Sequence, residues 1–105
     1  MPFLPINIIR LVDDNFPGWV ECELIDAVGN RHLFVEKTPV VTRESLERDG
    51  SFPRTGEFAC EILSSWRAEN GELLTTIDTS RPLGIESQGG VTEFVVLTKH
   101  LKLSN

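Results

Sequence analysis

Basic residues are scarce and scattered. The 105-residue chain has ten lysines and arginines against sixteen acids, for a formal charge of −6. Between Arg10 and Lys102 they never form a run. A surface that tracks phosphates needs such a cluster, so the pattern argues against nucleic-acid binding. Long hydrophobic runs are also lacking. No stretch reaches the roughly 18 apolar residues of a membrane span. The first residues, MPFLPINIIRLVDD, lack a basic segment followed by an apolar one, and two prolines and Asn7 interrupt them. That reads as no signal peptide and no membrane partner, with a cytoplasmic location as the expectation.

Only two cysteines are present, Cys22 and Cys60. They form no CxxC pair, and each lies in an alternating apolar run, as a small buried hydrophobe would. A cytosolic chain would keep both reduced. The two histidines, His32 and His100, show no HxH, HxxxH or Cys/His spacing, so no metal site is expected. GxSxG, GxGxxG and GxxxxGK[ST] are all missing. No catalytic residue and no cofactor therefore follow from motifs. Repeats are absent, and helical periodicity is slight.

What is present is alternation with period two, the mark of half-buried strands. It predicts six strands, over 6–12, 19–25, 31–41, 57–67, 73–79 and 91–97. Asp26 precedes Gly29 by three residues, which fits a type I turn closed by a left-handed glycine; a two-residue Gly29-Asn30 turn is the alternative. Asn70-Gly71 marks a second hairpin. In 57–67 the alternation slips after Ile62, so a bulge is expected near Ser64-Ser65. The run 91–97 is nearly all apolar, which suggests a central strand or one covered by the tail. A short peripheral helix is the most that 43–49 could hold.

These elements predict one all-β domain over 1–105. A six-stranded antiparallel barrel or strongly bent meander would avoid open edges, and a flat sandwich is the alternative.

Candidate functional residues fall in two groups. Trp19 and Trp66 both sit beside turns, where a tryptophan serves as a partner-binding anchor or a lid. The stretch DTSRPLGIESQGG, 78–90, carries Asp78, Arg81 and Glu86 as polar groups for a ligand. Within it, Leu83 and Ile85 are expected to pin the chain, and Gln88-Gly89-Gly90 to turn it. Glu21, Glu23 and Glu36 are expected together on the solvent face of the first hairpin, as a possible acid-base cluster or a plain solvated face.

The stretches GWVECELIDAVGNRHLFVEKTPVV, EFACEI, TIDTSRPLGIES and EFVVL resemble a group of small bacterial proteins of about this length with no assigned activity. The resemblance spans most of the chain. It implies a compact cytosolic bacterial β protein and carries over no catalytic residue, ligand or partner.

The sequence thus favours a non-enzymatic module that binds a protein partner or a second copy of itself. Its rivals are a small-ligand binder or minor enzyme using 78–90, and an acidic inhibitor or immunity-type protein against a basic target.

Overall fold

The computed structural model describes residues 1–47 and 50–103. The chain is all-β and forms two antiparallel sheets. The first holds β1 (Pro2–Asp13), β2 (Trp19–Ile25), β3 (Arg31–Lys37) and β4 (Arg54–Ala59). Its order is β3-β2-β1-β4, and β8 (Lys102–Leu103) also pairs with β1. The second holds β5 (Glu61–Arg67), β6 (Leu73–Asp78) and β7 (Glu93–Leu97), in that order. No closed barrel is present among the described residues.

The hairpin turns follow their local chemistry. Gly29 N donates to Asp26 O at 3.0 Å and Asp26 N to Asn30 O at 2.9 Å, while Gly29 has φ of +88°. That is the type I turn with a left-handed glycine, not the two-residue alternative. The Asp26 carboxylate also accepts the amides of Val28 and Asn30. Ala68 to Gly71 repeats the same bond pattern, again with φ of +88° at the glycine. Ser87 to Gly90 repeats it a third time. β2 and β3 consequently pair without a slip from Trp19↔Lys37 to Ile25↔Arg31.

Several boundaries differ from the sequence expectation. The third strand ends at Lys37 rather than 41, because Pro39 has no N–H for the ladder. The only α-helix among the described residues is Thr38–Val41, with Pro39 in its first turn. Residues 43–47 are bends and irregular chain, so the helix expected at 43–49 is absent there; Arg48 and Asp49 lie outside the described residues. The expected strand 57–67 starts earlier, at Arg54, and breaks at Cys60 into β4 and β5, which belong to different sheets. Its register slips between Ile62 and Ser64, one residue before the expected bulge. β7 starts at Glu93 and among the described residues pairs only with β6, at the end of its sheet rather than as a central strand. Its alternation is buried at Phe94 and Val96 and open at Glu93 and Val95.

The core lies on one face of each sheet. β1 contributes Leu4, Ile6, Ile8 and Leu11, and β2 contributes Val20, Cys22 and Leu24. A register shift between Ile8 and Arg10 moves the inward phase by one residue, so that Ile8 and Leu11 both face inward. Phe34 of β3 packs edge-on against Phe58 of β4, with centroids 4.8 Å apart, and at a tilt against Phe94 of β7 at 5.7 Å. β3 and β4 are the outer strands of a four-strand path, and in a flat sheet they would lie about 14 Å apart. Their ring contact therefore requires a strongly curled sheet, and the two irregularities of β1 supply extra bend. Gly56 of β4 allows the close approach: a Cβ there would lie 2.9 Å from Val41 O and 3.0 Å from Ile8.

Phe34→Ala should remove the contact that holds the curl and lower unfolding free energy by about 3–5 kcal/mol. Urea denaturation followed by far-UV circular dichroism measures it. A loss below about 1 kcal/mol would show that the curl does not depend on this ring.

Candidate functional site

The segment 78–90 is pinned rather than loose. Thr79 is fully buried: its hydroxyl donates to Ile85 O at 2.8 Å, and Ile85 N donates to Thr79 O at 3.1 Å. Ile85 is buried, whereas Leu83, its expected companion, is exposed. Gln88 N donates to Leu33 O at 2.8 Å and so ties the segment to the edge of β3. Ser87 Oγ accepts the Val91 amide across the turn.

The polar groups chosen from sequence are separated. Asp78 Oδ1 accepts the Ser80 hydroxyl at 2.6 Å and the Ser80 amide at 2.9 Å. Those bonds, with Arg81 nearby, hold its carboxyl below the usual range. Asp78 thus caps a local turn. Arg81 is exposed beside it, and Glu86 is exposed further along. Trp19 starts β2, half-buried, with the Lys37 ammonium 5.8 Å from its ring centre. Trp66 lies in the other sheet, on β5, opposite Leu74. The five residues do not converge on one pocket.

Glu36 is the site residue whose place the sequence reading mistook. It lies opposite buried Val20 and in phase with Phe34, so it points to the core side of β3. Glu21 and Glu23 point the other way, where Arg10 and Arg31 pair with them at 3.3 and 2.5 Å. The expected three-acid cluster is therefore split. Burial pushes the Glu36 carboxyl up, and the charge of Glu86 adds to it against the pull of Lys37. The phase of His32, Phe34 and Glu36 was the signal that could have found it. A carboxyl of this kind holds its proton more tightly than an ordinary glutamate. The Cys22 thiol is pushed up to about 12 by burial, and by Glu36 and Glu21. Cys60 is pushed up to about 11 by burial alone. Both thiols are free and buried. Among the described residues no group of three or more His, Cys, Asp or Glu is placed to hold a metal ion.

His32 and Asp26 form the other titratable pair, Nε2 to Oδ2 at 2.8 Å, with the imidazole edge-on to Phe94 at 4.8 Å. Burial acts to raise the Asp26 carboxyl, but bonds from His32, Asn30 and Val28 outweigh it and hold it below the ordinary value.

The β5–β6 arm gathers several exposed apolar side chains. All seven residues of β5 are exposed. Ile62, Leu63, Trp66 and Leu73 are 41, 46, 41 and 44% exposed, and among the described residues β5 pairs only with β6, with no strand on its other edge. On the outer face, Trp66, Leu74 and Leu97 form one cross-strand row, and Glu61, Asp78 and Glu93 form another. The sequence reading found Trp66; it missed the other apolar residues because alternation assigned half of them to a core that does not cover the arm.

Among the described residues no helix is long and apolar enough to cross a membrane. No protein-family model matches the chain, and neither a curated protein nor a solved structure matches it.

Two of the shifted carboxyls, Asp26 and Glu36, give opposite pH signatures. Asp26, lowered on folding, stabilises above its unfolded value of about 3.9, and that support fades as pH falls through the folded value. Glu36, raised on folding, weakens stability as pH climbs from its unfolded value of about 4.3 through the folded one. Asp26→Asn should flatten the acid limb of the stability curve, and Glu36→Gln should stabilise the protein at pH 7 but much less at pH 4. Urea midpoints measured across that range test both. Equal effects of Glu36→Gln at the two pH values would contradict the assignment.

Proposed function

We propose that the chain is a non-enzymatic binding module that engages a protein partner along the open edge of β5. The single observation that carries this reading is the exposure of all seven β5 residues together with the large apolar side chains around them. An open strand edge offers a row of unpaired backbone donors and acceptors, which another strand can complete. Trp66 supplies the anchor, since tryptophan buries much area with few rotamers to lose. The bulge near Leu63 and the two charged ends of the strand, Glu61 and Arg67, keep the edge from indiscriminate pairing. The partner's strand is apolar at one end and basic at the other, to meet the Trp66 row and the Glu61–Asp78–Glu93 row. This suits the overall charge of −6 and keeps the inhibitor or immunity-type role as its most specific form. The two sheets wrap as an incompletely closed barrel in this reading. Its support is two amide bonds from the connections of one sheet to a strand of the other, Ala27 N of the β2–β3 turn to Val95 O of β7 at 2.8 Å and Gln88 N of the β6–β7 connection to Leu33 O of β3 at 2.8 Å.

The test compares the wild type with Trp66→Ala and with Ser64→Pro in quantitative capture from lysate, with light scattering on the purified chain. A stoichiometric protein should be retained by the wild type and weakened at least tenfold by Trp66→Ala, as hot-spot truncation costs about 2 kcal/mol or more. Concentration-dependent dimerisation sensitive to both changes would make the partner a second copy. Capture and mass that are indifferent to both changes would sink the reading.

A further inference from the structure

β1 carries two partners on one edge. Phe3 pairs with Ala59 of β4 and Lys102 of β8, and Asn7 pairs with Thr55 of β4 and Glu23 of β2. β2 and β8 therefore share the edge opposite β4. Between them, Leu4, Pro5 and Ile6 have no strand partner on that side among the described residues. The break falls at Pro5, which has no N–H to offer.

Where the strands part, a slot of about 340 Å³ opens into the sheet. Its floor is core: Leu4, Leu24 and Val96, all buried. Its mouth carries Lys99, His100 and Lys102, with half-exposed Ile25 beside them. The sequence spreads its cations thinly, yet these three basic side chains fall within four residues, in a chain of charge −6. No acid pairs with them among the described ion pairs.

The mouth is held in place from three sides. Thr98 Oγ1 shares a hydrogen bond of 2.7 Å with buried Thr75 Oγ1, which in turn meets Ser65 Oγ at 2.8 Å. Leu101 packs against the core, and Lys102 is paired to Phe3. A slot held in this way costs little ordering on binding.

We propose that this slot binds a free, single-chain amphipathic anion. The alkyl end lies on Pro5 and Ile25 above Leu4, Leu24 and Val96, and the anionic head sits among Lys99, His100 and Lys102. The volume is near the lower end of small-molecule sites, about 300–1,000 Å³, which favours one short chain over a bulky ligand. Apolar walls with a few convergent polar groups are the usual composition of such sites. The charge at the mouth selects the sign, because ammonium groups form strong charge-assisted bonds to carboxylates and phosphates. The slot shares no residue with the β5–β6 arm, so this proposal and the protein-partner reading fail separately.

The probe is decanoate, with decanol as its uncharged counterpart, titrated into methyl-labelled protein and followed by NMR. Decanoate should shift the methyls of Leu4, Leu24 and Val96 saturably. Lys99→Gln with Lys102→Gln should weaken decanoate about tenfold and leave decanol unchanged. Ile25→Trp, at the exposed rim, should block both without touching the core, and Trp66→Ala should affect neither. The proposal is overturned if no saturable shift occurs at the slot, or if the double lysine variant binds decanoate as the wild type does. Binding to anionic phospholipid vesicles with no response to free decanoate also overturns it.

Discussion

The contact of Phe34 with Phe58 and Phe94 is the constraint on which the other features rest. Phe34 and Phe58 sit on the outer strands of one sheet, and their rings touch only because that sheet curls. Phe94 then brings the second sheet onto the same cluster. Curvature of this degree needs a strand that can bend and a partner that yields space. β1 bends at its two register shifts, and Gly56 yields the space, since any Cβ there would meet the Val41 carbonyl.

The curl explains where the polar groups end up. Drawing β3 inward carries Glu36 toward the core side, because side chains two apart on a strand share a face. The same movement brings the 78–90 segment against β3, where Gln88 bonds to Leu33. The body cannot extend to cover β5, which leaves the core at Cys60 and continues as an arm. It also cannot keep β2 and β8 in contact along β1, and the slot beside Pro5 is the result. The exposed arm and the slot thus both accompany the curling of the sheet around one small core. The molecule is correspondingly elongated, 45 × 27 × 24 Å.

Much of the fold was legible because its rules act over a few residues. Asp26 with Gly29, and Asn70 with Gly71, specified their turns through bonds that close within five residues and a positive φ that glycine accepts. The alternation of Val20, Cys22 and Leu24 against Glu21 and Glu23 specified both the strand and its buried face. The slip after Ile62 announced a bulge. The candidate site was less legible. Asp78 looked like a ligand group because it is an acid in a glycine-rich stretch, but its Oδ1 accepts both the amide and the hydroxyl of Ser80 two residues on. Glu36 looked like a surface acid, although its phase with Phe34 already assigned it to the other face.

Composition and spacing alone determined that this is an all-β chain, with its first hairpin, its glycine turns and the buried phase of β2. Each of these depends on backbone freedom and on side-chain alternation along one strand. Tertiary structure alone decided that one apolar run would split between two sheets at Cys60. It also decided that β5 would lack a cover, and that Lys99, His100 and Lys102 would gather over Leu4, Leu24 and Val96. Those outcomes depend on which strand lies across from which, and the residues concerned are far apart in the chain. No local period encodes the distance at which a curled sheet runs out of partners.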